Sequence, residues 1–399
     1  LPLVETGVFE AKAFLLLDGD DEVQWVKGEN LRLKVESEES CCLNSIYTVF
    51  PRQFGRQPWL DDGLRESIGR LDDAGYHVIP PSGTFRDVIG KLDEIADLRM
   101  RILQLLPVHP VPTTFARMGR FGSPFAAGDY RTVDPAMAEY DTAVPPMGQF
   151  RELVDAAHAR GLRVFLDMPA NHTGWASALQ NHHPEWFERT PDGAFVQPGA
   201  WGVVWADLVA LDYGHHSLWR YMGEVFLHWC RHGVDGFRCD AGYMLPTGAW
   251  QYILAKVRSE YPDVVFLLEG LGGPKATTNA LLGDVGLDWA YSELFQVCDR
   301  EGIYGYLERA SETSRTVGTL VHFAETHDNS RLAAASHTYA RMRTALSALC
   351  SEHGAFGITN GVEWFATEKV DVHGASELNW GSETNQREQL RRLGTILET

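Results

Sequence analysis

The sequence predicts an α/β protein: a (β/α)8 barrel of the TIM type, with a loop-borne excursion after the third strand and a short β element in front. Three observations carry this. Apolar strands alternate with amphipathic helices through roughly the last 350 residues, the text of parallel β/α units. Four of the strands run straight into acidic segments, and strand C-termini are where a barrel gathers its chemistry. No GxGxxG or Walker-type loop interrupts the pattern, so a doubly wound nucleotide-binding sheet is disfavoured.

Residues 1–42 read differently from the rest. Val8–Phe14 and Leu31–Val35 alternate apolar and polar side chains with a period of two, and Gly19-Asp20-Asp21 supplies a turn between them. This is a short β element, the expected tail of a β-sandwich. Residues 43–399 then carry the barrel. Ser45–Phe50 is the first strand; a helix over Phe85–Leu98 leads to Ile102–Pro107, and a helix over Phe150–Arg160 passes through Gly161 to Val164–Leu166. Helix His216–Cys230 precedes strand Gly236–Arg238, and helix Trp250–Glu260 precedes Val264–Leu268. Trp289–Glu293, Leu320–Ala324 and Phe356–Ile358 complete the strands, with helices at Arg341–Leu349 and Arg387–Leu397. Two insertions are long, Val108–Phe150 and the excursion 173–213. The second holds Trp175, Trp186, Trp201 and Trp205, aromatic planes suited to sugar rings or to a small core of their own.

Composition limits the partners. The formal net charge of −19 over 399 residues repels phosphate backbones and anionic lipid, so neither nucleic acid nor a membrane surface is an expected partner. No apolar run approaches the roughly 20 residues that span a bilayer, and Leu1–Glu10 lacks the features of a signal peptide. The six cysteines, Cys41, Cys42, Cys230, Cys239, Cys298 and Cys350, show no CxxC spacing. Buried free thiols in a reducing, cytoplasmic setting are expected, with no zinc site.

The chemistry lies in four strand-end segments: Asp167-Met168-Pro169-Ala170-Asn171-His172, Gly236-Phe237-Arg238-Cys239-Asp240, Leu267-Leu268-Glu269-Gly270 and Glu325-Thr326-His327-Asp328-Asn329. Retaining cleavage of a glycosidic bond needs two carboxylates about 5–5.5 Å apart, a nucleophile and an acid/base. Neighbouring strands four and five can set Asp240 and Glu269 that way. Arg238, two residues before Asp240, faces the same side and favours the carboxylate form of a nucleophile. Glu269 follows four apolar residues, so desolvation would raise its pKa and suit it to acid catalysis. Asp328 and His327 can hold sugar hydroxyls and stabilise an oxocarbenium-like transition state.

These residues resemble the α-amylase family, glycoside hydrolase family 13. Asp167–His172 looks like its first motif, Gly236–Asp240 its nucleophile motif, Glu269 its acid/base, His327-Asp328 its transition-state aspartate, and Gly361-Val362-Glu363 its late G-x-E. The resemblance implies Asp240, Glu269 and Asp328 as catalytic residues, with Asp167, His172, Arg238 and His327 at the cleavage subsite. Phe125 is the expected stacking aromatic. Tyr243 and Met244 stand where secreted amylases have Lys-His, so acceptor contacts differ and Tyr243 is expected there instead. The excursion corresponds to the family's domain B. No cofactor is required; calcium is an optional ligand, through Asn171 and Asp207.

The implied activity is α-retaining hydrolysis or transglycosylation of α-1,4-glucans (glycogen, starch or maltooligosaccharides) by double displacement. Asn171-His172-Thr173 and Glu325–Asn329 look like the glucanotransferase half of glycogen-debranching enzymes, which makes 4-α-glucan transfer the alternative. Phe50-Pro51-Arg52 and Val108-His109-Pro110 are similar to maltosyltransferases that use maltose 1-phosphate. A barrel that binds glucan without turnover is the reading from another class. The strand-rich C-terminal domain typical of amylases does not follow the eighth helix, so a segment of a larger multidomain enzyme is expected.

Overall fold

The computed structural model describes residues 5–17, 22–35, 45–55, 62–76, 78–113, 118–351 and 353–398. The turn expected at Gly19-Asp20-Asp21 and the pair Cys41-Cys42 lie outside them. The N-terminal element consists of two antiparallel pairs: β1 (Gly7–Ala11) with β4 (Leu31–Val35), and β2 (Phe14–Leu15) with β3 (Gln24–Trp25). It is tied to the barrel end where strands begin. Arg32 Nη1 meets Asp284 Oδ1 at 2.5 Å, and Lys34 Nζ donates to the carbonyls of Leu287 (2.9 Å) and Asp288 (3.1 Å).

The third strand of the barrel, β7 (Arg163–Met168), follows β5 (Ser45–Val49) and β6 (Ile102–Leu105). Within the excursion, β8 (His172–Gly174) pairs with β11 (Leu208–Ala210), and β9 (Gly199–Ala200) with β10 (Val203–Val204), both antiparallel. The barrel resumes with β12 (Gly236–Cys239), β13 (Val265–Leu268), β14 (Trp289–Tyr291), β15 (Thr319–Phe323) and β16 (Ala355–Thr359). Each strand pairs in parallel with the next, and β16 closes on β5. The expected (β/α)8 barrel is therefore the fold.

The pleat sorts each strand's residues between two cores. Ile46, Ile102, Phe165, Val265, Leu267, Trp289 and Val321 fill the barrel interior. Their neighbours, among them Tyr47, Leu103, Val164, Leu166 and Phe266, face outward against the helices. Gly236 makes room inside: a Cβ there would come within 2.5 Å of the Phe165 ring. On the outer layer, helix His216–Cys230 buries Leu218, Met222, Val225, Phe226 and Trp229, one stripe at helical spacing. Phe226 packs edge-on against Phe237, with centroids 4.7 Å apart.

Some element bounds differ from expectation. The single helix expected over Phe85–Leu98 is two short ones, Phe85–Ile89 and Leu92–Ala96, because Gly90 caps the first. Two further helices, Asp62–Asp73 and Arg300–Thr316, are mostly polar and bury one residue each, Ile68 and Ala310, so no apolar run marks them in the sequence. Among the described residues no helix is long and apolar enough to cross a membrane.

Candidate active site

The same pleat that fills the interior carries three chains of residues up to the mouth. Phe165 is inward, so Asp167 is; Gly236 is inward, so Arg238 and Asp240 are; Val265 and Leu267 are inward, so Glu269 is. Registers then align them, with Arg238 directly beside Asp167 on β7 and Leu267 on β13. Arg238 is the hub. Its Nη1 lies 2.9 and 3.0 Å from the two oxygens of Asp167 and 2.5 Å from Asp240 Oδ1, and its Nη2 lies 4.0 Å from Glu269 Oε2. Asp240 and Glu269 thus sit within the span of one guanidinium. Its carbon stands 5.4 Å from the ring centroid of Tyr291 and 5.8 Å from that of Phe125, so aromatic faces close over the cation. Burial pushes the Asp167 carboxyl up in pKa, opposed by the charge of Arg238.

Glu269 is only 7% exposed. Its Oε2 accepts from the Ala241 amide at 2.8 Å and its Oε1 from the Leu271 amide at 2.8 Å. Burial drives its pKa up to about 7; the Asp240 charge adds to this, while Arg238 and the two amides oppose it. A carboxyl in that range can give and take back a proton near neutrality.

Both carboxylates open on one cavity of about 460 Å³. His172 and His327 line it and are buried; burial lowers both pKa values, which favours neutral rings. His172 Nε2 is 3.1 Å from the Phe125 carbonyl, and His327 Nε2 is 3.4 Å from Asp328 Oδ2. Asp328 lies at the rim with its side chain 63% exposed. Phe125 borders the cavity, but one of its faces is taken: it stacks on His327 at 5.6 Å and 14°. The Tyr243 hydroxyl, pushed up to about 12 chiefly by burial, faces the same space. Of the four tryptophans, Trp201 and Trp205 line the cavity. Trp186 stacks on His183 within the excursion, and Trp175 donates to the Ala206 carbonyl.

Calcium takes roughly six to eight oxygen ligands, of which the expected pair Asn171 and Asp207 would supply part. Asn171 Nδ2 donates to the thioether sulfur of Met244 at 2.9 Å, while its buried Oδ1 has no hydrogen-bond partner among the described residues. Asp207 instead lines the catalytic cavity, 4.0 Å from His373 Nε2. Among the described residues no three His, Cys, Asp or Glu side chains are grouped to hold a metal. Phenols organise the loop after β7. Tyr130 Oη donates to the carbonyls of Pro169 (3.0 Å) and His172, and Tyr213 Oη to that of Ala170 (2.6 Å).

Two residues around the site had no sequence signal. Tyr291, under the Arg238 guanidinium and fixed by a 3.0 Å bond from Gln104 Nε2, and His373, which lines the cavity from an irregular loop after β16, belong to no motif. Glu325 and Glu363 are structural neighbours of the site. Glu325 pairs with Arg331 at 3.1 Å, and Glu363 accepts from Tyr47 Oη at 2.5 Å, with burial raising its pKa to about 7.

A closed parallel barrel whose strand ends deliver arginine-bridged carboxylates to one cleft defines the class: a β/α barrel with its candidate site at the strand C-termini. The chain belongs to the α-amylase family, whose catalytic-domain profile matches residues 48–265. An alpha-1,4-glucan:maltose-1-phosphate maltosyltransferase of Cereibacter sphaeroides is 31% identical over 332 residues, covering 76% of this chain and 53% of that protein. The enzyme of the same name from Arcanobacterium haemolyticum is 29% identical, covering 84% of this chain and 47% of its own. The chain thus spans about half the length of these curated relatives. Among solved structures, an alpha-amylase from Lactobacillus plantarum superposes with a TM-score of 0.71 at 26% identity, covering 90% of this chain and 80% of that one. A Nostoc punctiforme debranching enzyme shares the fold with a TM-score of 0.67 at 19% identity, covering 92% of this chain and 82% of its own.

Proposed function

We propose that this chain is an α-retaining glycosidase or transglycosylase acting on α-1,4-glucans, with Asp240 as nucleophile and Glu269 as acid/base. The observation that carries the reading is the shared guanidinium. Arg238 holds Asp240 at 2.5 Å as an oriented carboxylate while Glu269, its pKa raised to about 7, keeps a proton to donate. In the first step Asp240 attacks the anomeric carbon and Glu269 protonates the departing oxygen. In the second, Glu269 takes the proton of the incoming hydroxyl, which displaces Asp240. His172 and His327, neutral and buried, suit hydrogen bonding to sugar hydroxyls. Asp328 at the rim is proposed to close on the donor sugar and stabilise its developing positive charge.

Transfer to a second glucan is favoured over hydrolysis by the aromatic lining on the Glu269 side. The names of the maltosyltransferase relatives agree with transfer. A cytoplasmic setting is supported by the free thiols of Cys230 and Cys239, both buried. Asp240→Asn assayed with maltoheptaose tests the chemistry: product formation should drop by about three orders of magnitude or more, and unchanged product formation would refute the assignment. Chromatography of wild-type products separates transfer, which makes longer chains, from hydrolysis, which raises reducing ends.

A further inference from the structure

Phe50-Pro51-Arg52 lies at the C-terminal end of β5, yet the proposed chemistry gives it nothing to do. Its arginine is 2% exposed. Burying a guanidinium costs desolvation that an apolar side chain of similar length would avoid. What the cation supplies in return is direction, since a planar fork can hold several acceptors in fixed places. Two loops take up that direction.

Pro51–Gln53 form one buried turn of 3-10 helix, which sets Arg52 between the long insertion after β6 and the loop after β16. Arg52 Nη1 donates to the Val372 carbonyl at 3.0 Å and to the Gly122 carbonyl at 3.4 Å, so one nitrogen meets both loops. The guanidinium carbon stands 4.6 Å from the centroid of the Phe121 ring and 4.9 Å from that of Phe50.

The two loops touch at His373, which sits in a turn. The Phe121 amide donates to the His373 carbonyl at 3.3 Å. Gly119, with φ +61°, backs the same residue: a Cβ there would fall 2.7 Å from the His373 carbonyl oxygen and 2.8 Å from His373 Cβ. Gln53 braces the loop from its other end. Its Nε2 donates to Ser376 Oγ at 2.8 Å, which accepts the Asp371 amide at 3.0 Å, and Asp371 Oδ1 accepts the His373 amide at 2.9 Å.

Held in this way, the His373 ring reaches the cavity facing Asp207, which comes from the excursion. His373 Nε2 and Asp207 Oδ2 are 4.0 Å apart. That gap is too long for a direct hydrogen bond, but a hydroxyl oxygen about 2.8 Å from each atom fits between them. The carboxylate would accept its proton and an Nε2–H would donate to its oxygen.

We infer that Arg52 is a positioning residue for substrate: acting through the two loops, it sets His373 opposite Asp207 so that the pair clasps one hydroxyl of the glucan. The inference deepens the proposed function and rests on its glucan substrate. Asp240 and Glu269 are held independently, by Arg238 and by the amides of Ala241 and Leu271. Loss of the clasp therefore weakens binding and spares the chemical step.

Calorimetry with maltoheptaose on the full chain tests this, with Glu269→Gln as the background so that nothing turns over. His373→Ala should weaken binding about tenfold, and Arg52→Met by as much. Both changes together should cost no more than either alone, because they act through one ring. In the otherwise wild-type chain each should raise KM about tenfold and leave kcat within about twofold. A purely structural arginine would instead add its loss to that of His373→Ala. Full affinity in His373→Ala, or additive losses in the double variant, would overturn the inference; the first result needs no Arg52 variant to fold, and the His373 side chain is one-third exposed. Wild-type chain that binds maltoheptaose without converting it would overturn the proposed chemistry alone, and the binding losses would still support the clasp.

Discussion

Glu269→Gln should inactivate the protein and stabilise it in a pH-dependent way. The carboxyl's pKa rises from the 4.5 of an unfolded chain to about 7 in the folded one. The sign follows directly: between pH 4.5 and about 7 the folded state keeps a proton that the unfolded state has released, so wild-type stability falls as pH rises through this window. At roughly 1.4 kcal/mol per pH unit the deficit reaches about 3 kcal/mol and is constant above pH 7. Glutamine does not titrate and escapes the deficit. It does lose one acceptor, since both oxygens of Glu269 take backbone amides at 2.8 Å and an amide NH2 cannot. That mismatch costs about 1 kcal/mol or somewhat more at every pH. The variant should therefore be slightly weaker than wild type near pH 4.5 and about 2 kcal/mol stronger at pH 7.5. Urea denaturation followed by circular dichroism at several pH values measures this. A difference between the two proteins that does not change between pH 4.5 and 7.5 would refute the account of Glu269. The same ionisation should set the alkaline limb of wild-type kcat/KM, with activity falling above about pH 7.

Arg238→Met should cost about 3–5 kcal/mol, because Asp167, with no exposed surface, and Asp240 lose the cation between them; an unchanged urea midpoint would exclude the hub role. Dialysis against EDTA should leave melting temperature and rate unchanged, since among the described residues no three His, Cys, Asp or Glu side chains are grouped to hold a metal, whereas Tyr213→Phe should lower stability by roughly 1–3 kcal/mol by orphaning the Ala170 carbonyl. A melting temperature that drops in EDTA and returns with calcium would reverse that assignment.

What could be seen in the sequence was what the pleat dictates. An apolar run ending in a carboxylate fixes both the strand and the direction of its last side chain, so Asp167, Asp240 and Glu269 are legible as residues of one mouth before any coordinates. Arg238 is legible for the same reason, two residues before Asp240. The strand order followed from β/α alternation, since right-handed parallel crossovers leave few other closures. The surroundings of Asn171 and Asp207 were not legible: Asn171 Nδ2 meets Met244 and Asp207 turns into the cavity, choices made by loops that carry no period. Tyr291 and His373 were invisible for different reasons. Tyr291 sits on a strand of three residues, too short to register its facing, and His373 sits on an irregular segment.

The loops around Glu269 carry no such pattern. Trp201 belongs to a two-residue hairpin turn, Tyr243 to a single turn of 3-10 helix, and Gly272-Gly273 to a loop. None has a periodic signature, and they are 29 to 71 residues apart in sequence, from Gly272 back to Tyr243 and to Trp201. They meet only because the barrel sets the loops after β12 and β13 side by side and the excursion bends its hairpin over both. In the proposed chemistry strand ends determine which bond is attacked, and loop glycines determine which rings can stand beside Glu269. A change of those rings therefore needs no change in Asp240, Arg238 or Glu269. A methyl group at Gly272 would displace the indole while the barrel and its carboxylates stay as they are.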